Sequence, residues 1–416
     1  MNLGIELLPT RCDVLVIGAG PAGSAAAITL ARAGLDVVLV DQHVFPRDKV
    51  CGDGLIPDAH NALRKLGVLD EVMAQAQASS YVGCIGPRGG RVDVPGVLAV
   101  LPRKELDLIL CRAAVAAGAR MFAPVRFMAT IDENGVVVGA SLQHADEKRE
   151  LRARWVVLAS GAVPQALMAA GMSTRHTPSG VALRGYVKND AMVGRIDKLE
   201  VVWHRAVTPG YGWIFPCRDG VFNIGVGIAD SHGESRGGKR GKHRMRELNL
   251  RQVMDDFTRV YTPARELMAG GTLLGPMKGA PLRCTLEGAR FTRPGLLVTG
   301  EAAGSTYSFS GEGIGKAMET GIHAAEAVLA GSSQPGAAAA VCADYEARLV
   351  ALKPRFELYK RANSVNRHPW IADLLIWRAK RNPGIVRRMS GVLNETSNPG
   401  NLVSFKGFRR LFIDRT

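Results

Sequence analysis

Residues 12–41 read CDVLVIGAGPAGSAAAITLARAGLDVVLVD. A short apolar run, Val14 to Ile17, leads into Gly18-x-Gly20-x-x-Gly23 and then a stretch of helical period from Ala25 to Ala33, which Gly34 ends. A second apolar run, Val37 to Val40, closes on Asp41. Strand, glycine turn, helix and strand together form a βαβ unit, and the acid follows Gly18 at close to the ~20 residues expected of a group that meets a ribose diol. Gly18 permits the tight turn, Gly20 lets the backbone approach a diphosphate, and Gly23 lets helix and strand pack closely. The helix N-terminus offers free N–H groups and partial positive charge to an anion. Glycine-rich turns are common, but here all four parts agree, so the unit is read as dinucleotide-binding. The motif alone does not choose FAD over NAD, and Asp41 disfavours NADP at this site because a 2′-phosphate would be repelled.

Outward from this unit, residues 45–55, FPRDKVCGDGL, form a turn-rich segment. It is either a plain connector or, as loops after such a unit commonly are, a segment that touches the ligand. Residues 101–120 place Leu106, Ile109, Leu110, Ala113 and Ala114 at helical spacing, with Arg103 just ahead of the start and Gly118 as the stop. WVVLASG at 155–161 reads as a buried parallel strand ending in a small-residue turn at Gly161. Between 180 and 230 the pattern alternates and is rich in aromatics, which predicts an antiparallel sheet. A strand from Leu296 to Thr299 runs into Gly300-Glu301-Ala302-Ala303-Gly304, and a glycine-rich loop then feeds a second helix starting near Gly313. Residues 345–412 have a helical, basic pattern.

The chain has 416 residues, 47% hydrophobic and 22% charged, which excludes a disordered chain, a collagen-like chain and a disulfide-stapled miniprotein. No apolar run reaches the ~18 residues of a membrane span. The opening MNLGIELLPTRCD has no basic region followed by an apolar one, so no secretory leader is expected. Seven scattered cysteines without a CxxC pair point to reduced thiols and a cytoplasmic protein, with no metal site expected. The net charge is +15, and residues 351–416 hold 14 Lys/Arg against 4 Asp/Glu, with a second basic cluster at 235–246. These stretches are either solvated faces, with 235–246 a surface loop, or attractors for something anionic. No recognition motif supports nucleic acid.

Four segments together resemble the FAD-dependent geranylgeranyl reductase family, within the p-hydroxybenzoate hydroxylase-like flavoproteins. They are GAGPAG with Asp41, FPRDKVCGDGL, the Pro209-x-Tyr211-x-Trp213-x-Phe215-Pro216 segment, and GEAAG at 300–304 followed by GEGIGKAMETG at 311–321. The likeness spans about residues 12–330. It implies an α/β fold: a Rossmann-like FAD-binding domain with a ββα-type parallel sheet (1–75, 100–175 and 285–335), an antiparallel-sheet substrate domain (76–99 and 176–284) and a basic helical C-terminal region (336–416). It also implies FAD as cofactor. Gly18, Gly20, Ala22, Gly23, Asp41 and Gln42 would lie along its adenosine diphosphate, with Arg47, Gly52, Arg103 and Gly161 as further contacts. Gly300 and Glu301 would meet the ribityl chain, Glu301 standing where relatives usually have Asp. Gly311, Gly313 and Ile314 would bring a helix N-terminus to the pyrimidine end of the flavin.

The reaction implied is reduction of carbon–carbon double bonds in a geranylgeranyl or menaquinone-type chain by hydride from reduced flavin, with NADH or NADPH as external reductant. Tyr211, Trp213 and Phe215 recur at every second residue, so on a strand they share one side. They are either a wall for an oily substrate or sandwich core. Cys51 is either close to the flavin ring or a packed thiol, and Cys51, Tyr211 or water could supply the proton. The rivals are an oxygen-using monooxygenase or halogenase acting on an aromatic or carrier-tethered substrate, and an electron-transfer flavoprotein. The basic tail, with Trp370, Ile371, Leu374, Leu375 and Trp377, could meet an anionic membrane surface or an acidic carrier protein, making the protein peripheral to the membrane; otherwise it is an ordinary packed helix.

Overall fold

The computed structural model describes residues 2–229, 249–331 and 337–394. The opening apolar runs become the strands Arg11–Ile17 and Val37–Val40, paired in parallel with Val14 beside Val37 and Ile17 beside Val40. They sit in a sheet ordered Thr292–Arg293, Leu296–Val298, Glu147–Leu158, Arg11–Ile17, Val37–Val40, Arg120–Phe122. From Leu296–Val298 to Arg120–Phe122 the pairings are parallel. Side chains alternate between two covered faces, which is why the runs are apolar throughout rather than every second residue. Val14, Val16, Leu39 and Val157 pack under the helices Pro21–Arg32, Arg103–Ala116 and Ile314–Gly331. Leu15, Ile17, Val38 and Val156 face the other way, onto a core that includes Val137, Ala140 and Leu142 of the Val136–His144 strand.

The second sheet is ordered Thr272–Leu273, Gly180–Lys188, Val221–Ala229, Gly210–Pro216, Leu199–Val202, Gln77–Ile85, Arg91–Val100, Gly54–Leu55. It is antiparallel apart from the parallel pairing of Leu199–Val202 with Gln77–Ile85. Leu183, Ile214, Ile224 and Val226 pack from one face onto Met254, Phe257 and Leu267 of the helices Leu250–Val260 and Thr262–Ala269. Strand alternation sends Arg184, Tyr186, Asn223 and the Tyr211, Trp213, Phe215 set to the opposite face. Helices then follow at Ala337–Ala362, Ser364–Arg367, Trp370–Ala379 and Pro383–Leu393. The last two bury Ile371, Leu375, Ile376 and Ile385 against Val82, Val94 and Leu98.

Several boundaries differ from the sequence expectations. Arg103 is the first residue of its helix rather than a residue ahead of it, because Pro102 occupies the cap position. The 45–55 segment is not loop throughout: Gly54 and Leu55 pair with Val100 and Ala99, so its end is an edge strand of the second sheet. The C-terminal helices begin at Ala337, ahead of the 345 read from the helical pattern and within the expected 336–416 region. The basic cluster 235–246 and the tail beyond 394 lie outside the described residues.

Candidate active site

The glycine turn lies where strand Arg11–Ile17 ends and helix Pro21–Arg32 begins, at the point where the strand order reverses, the place at which open α/β sheets bind ligands. Gly18 is left-handed (φ +102°), and a Cβ there would sit 2.4 Å from the Ala159 carbonyl oxygen. A Cβ on Gly23 would lie 1.8 Å from the Gly18 oxygen. Gly20 differs: its nearest neighbours would be the guanidinium tips of Arg47 and Arg103, at 3.7 and 3.8 Å. The turn is thus closed by protein at Gly18 and Gly23 and open at Gly20 toward two cations. The Asp41 carboxylate accepts from Ala19 N–H and from His43 N–H, both at 2.9 Å, which ties it to the same turn; Gln42 is exposed beside it.

The two arginines come from the segment after the second strand and from the first turn of the helix Arg103–Ala116. Arg103 donates to both oxygens of Asp107 at 2.7 Å, and Arg47 Nη1 lies 3.1 Å from the same carboxylate, which is fully buried. One carboxylate against two guanidiniums leaves one positive charge facing the glycine turn. Asp107, absent from the sequence-based set, was signalled only by its i,i+4 spacing from Arg103. Among the described residues, left-handed Gly161 has nothing within 4 Å of a Cβ, and the neighbouring Ser160 hydroxyl is buried without a partner.

The helix Ile314–Gly331 begins one residue after the expected Gly313. It docks on the first helix at Gly321, where a Cβ would be 2.2 Å from the Ala22 oxygen, and the turn Gly300–Ala303 ahead of it packs there too, a Cβ on Gly300 lying 2.6 Å from the Ala22 Cβ. Ala22 is therefore packed beneath this second loop. Gly300 N–H donates to the Thr320 hydroxyl at 3.0 Å, and Glu301 accepts from the Thr306 hydroxyl at 3.3 Å.

The aromatic set lies on the face of the second sheet away from its helix-covered core. Tyr211 donates to the Ser310 carbonyl, and its hydroxyl would be 2.7 Å from a Cβ on left-handed Gly311. Phe215 packs on Gly52 and Gly54, whose Cβ atoms would approach its ring to 3.2 and 3.4 Å. Tyr211, Trp213 and Phe215 follow one another with ring centroids 6.2 and 6.4 Å apart, and Trp203 and Phe309 extend the row. Thus Gly52, Gly311 and the three aromatics are brought together, while Gly18, Gly20, Asp41, Arg47 and Arg103 form a separate group at the glycine turn. Burial pushes up the Cys51 thiol, with Asp53 adding to the effect, and pushes up the Tyr211 hydroxyl. Both groups hold their protons at neutral pH.

Between the two groups sits a buried polar hub that sequence reading missed. Asp53 is left-handed (φ 63°) and fully buried. It accepts from Tyr186 Oη at 2.5 Å, Asn223 Nδ2 at 2.7 Å and Arg103 N–H at 3.3 Å. Asn223 also donates to the Cys51 carbonyl and accepts from Trp213 Nε1, each at 2.9 Å. Burial raises the Asp53 carboxyl to about 6 despite these bonds. Arg184, stacked on Tyr186 at 4.1 Å, pairs with Asp48 at 2.7 Å.

These residues fit an extended FAD. The open glycine turn and paired arginines suit a diphosphate, the orphaned Ser160 hydroxyl borders the same turn, and the glycine-fed helix start suits the electron-rich end of a flavin. A family model described as an FAD binding domain matches residues 11–264. The menaquinone reductase of Mycolicibacterium smegmatis is 33% identical over 345 residues, covering 77% of each chain. The digeranylgeranylglycerophospholipid reductase of Methanosarcina mazei is 32% identical over 331 residues, covering 76% of this chain and 75% of that one. Among solved structures, a geranylgeranyl bacteriochlorophyll reductase-like protein of Thermoplasma acidophilum superposes with a TM-score of 0.71 at 22% identity, covering 97% of this chain and 96% of that one. A flavin-dependent brominase superposes with a TM-score of 0.73 at 20% identity, covering 97% and 98%. With the glycine turn, its arginines and the aromatic sheet in place, the chain belongs to the FAD-binding oxidoreductases of the geranylgeranyl reductase family.

Proposed function

We propose that this oxidoreductase saturates carbon–carbon double bonds of a polyprenyl substrate, of the menaquinone or geranylgeranyl-lipid class on which its named relatives act. The observation that carries this reading is the row of Trp203, Tyr211, Trp213 and Phe215 on the sheet face turned toward the Gly52 and Gly311 loops. A row of aromatic rings presents apolar area to an isoprenoid and few polar groups that would need solvating. Bound FAD, once reduced by a donor such as NADH or NADPH, supplies hydride. The chain binds the diphosphate at Gly20 with Arg47 and Arg103, and its ring row holds the alkene and excludes water. Tyr211 and Cys51 both keep their protons at neutral pH, and one of them or a bound water supplies the proton to the second carbon.

The same reading places the helix Trp370–Ala379 against an anionic bilayer. Trp370 and Trp377 are exposed and seven residues apart, hence on one side, and Arg381 stacks on Trp377 at 4.5 Å. Ile371 and Leu375 are instead committed to the interior.

One experiment tests both statements. Dithionite-reduced holoprotein is mixed without oxygen with a prenylated quinone carried in vesicles. The flavin absorbance should return, the prenyl chain of the product should gain two hydrogens, and turnover should be faster from anionic than from zwitterionic vesicles. Re-oxidation that requires oxygen would replace this reading with the monooxygenase or halogenase one. Equal rates from both vesicle types would remove the bilayer contact alone.

A further inference from the structure

We propose that Asp53 is a positioning residue for the reaction, setting through the Asn223 amide the orientation of the Trp213 ring in the aromatic row. An ionised carboxylate only accepts, whereas a carboxamide offers one acceptor and one donating NH2 group. Asn223 turns its NH2 toward two acceptors, Asp53 Oδ2 at 2.7 Å and the Cys51 carbonyl at 2.9 Å. Its single oxygen is then left for Trp213 Nε1, which can only donate and lies 2.9 Å away. The reverse amide orientation would set NH2 against indole N–H and carbonyl against carboxylate. Asp53 and the Cys51 carbonyl together therefore hold Asn223 with its oxygen toward Trp213, the carboxylate as the stronger, charged acceptor, and Asn223 anchors the ring. The ring rests in a slot cut by glycine, since Cβ atoms on Gly225 and Gly227 would lie 2.3 and 3.4 Å from it. The ring lies close over this glycine backbone with Tyr211 and Phe215 on either side, and the Asn223 hydrogen bond fixes its edge within that slot. The same carboxylate ties down the first helical residue, Arg103, and the Tyr186 hydroxyl. It thereby joins the diphosphate-facing arginine to the aromatic face.

The activity half of the test rests on the reductase reading above; the spectroscopic half does not. Asp53→Asn is close to isosteric but meets three donors, Tyr186 Oη, Asn223 Nδ2 and Arg103 N–H, with one acceptor and an NH2 group of its own. Asn223 then loses the charged one of its two acceptors, and the anchor on the ring loosens. The near-ultraviolet circular dichroism of Trp213, taken as the difference between each protein and its own Trp213→Phe counterpart, should be strong with Asp53 and collapse with Asp53→Asn. In the polyprenyl assay Asp53→Asn should lower kcat by about 10- to 100-fold, the scale of a misplaced reacting partner, with KM nearly unchanged and FAD retained. In the Trp213→Phe background the same substitution should cost about threefold or less, because the group it positions has gone.

In the unsubstituted enzyme kcat should fall as pH drops through about 6, where burial places the Asp53 proton, since the neutral acid gains an O–H among donors. The ionisable groups around it are Tyr186 and Arg184 from strand Gly180–Lys188, Arg103 from its helix, Cys51 on its own loop and Cys217 after strand Gly210–Pro216. This arm, and Asn223→Leu, which should mimic Asp53→Asn and gain nothing further when combined with it, keep the test decisive if Asp53→Asn folds poorly. An unchanged Trp213 band, the same loss with and without Trp213, or a kcat flat through pH 6 would overturn the proposal. An inactive but dichroically responsive protein would overturn only the reductase reading.

Discussion

Gly20→Val is expected to leave the protein folded and to abolish tight FAD binding. Gly20 caps the first helix with extended backbone (φ −76°, ψ −173°), a conformation any residue adopts. Among the described residues its Cβ would meet only the Arg47 and Arg103 tips, at 3.7 and 3.8 Å. The flavin-free protein should therefore change in stability by less than about 1 kcal/mol, as substitutions without a buried clash do. The isopropyl group would nonetheless occupy the space in which a diphosphate meets the helix N–H groups and the two guanidiniums. Losing two charge-assisted hydrogen bonds at about 1.5 kcal/mol each weakens FAD binding at least about 100-fold. Flavin fluorescence titration together with urea unfolding separates the two effects. Gly23→Val is the contrast: with the Gly18 oxygen 1.8 Å from the new Cβ, the turn itself must break and stability should fall with affinity.

Asp107→Ala should give the largest loss of stability, and FAD should partly restore it. Asp107 is fully buried, and it is the carboxylate to which Arg103 donates twice and against which Arg47 rests. Removing one partner of a buried ion pair costs about 3–5 kcal/mol because the other charge stays buried and uncompensated. Here two cations would be left facing each other across the glycine turn. A bound diphosphate supplies the missing negative charge, so the urea midpoint should drop steeply without FAD and much less with it. Equal drops in both states would show that the arginines do not face the cofactor.

The parts of this site that were legible in the sequence are those whose chemistry is local. Gly18 through Asp41 carries turn, helix, strand and acid in one short stretch, and the order held, although the helix starts at Pro21 rather than Ala25 and the strand ahead of it at Arg11 rather than Val14. The Tyr211, Trp213, Phe215 spacing correctly gave one side of a strand, but alternation alone does not say which face is core. Helices Leu250–Val260 and Thr262–Ala269 decided it by covering Ile214 and Ile224. The Asp53 hub was invisible because its members meet only through register. Phe215 lies opposite Asn223, Asn223 opposite Tyr186, and Gly54–Leu55 reaches the same sheet from its far edge. Arg103 was found as a basic residue near a helix start, yet its electrostatic role depends on Asp107 one turn later. The glycines at 52, 225 and 311 read as punctuation in sequence but serve here as seats for aromatic side chains.

The most direct measurement on the account is an equilibrium titration of the flavin-free protein with FAD, followed in the flavin absorbance band. Saturation at one FAD per chain, with a band that shifts as the ring leaves water for the aromatic face, is the result the account predicts. A chain that stays colourless after excess FAD is removed, under conditions where it is folded, would contradict it.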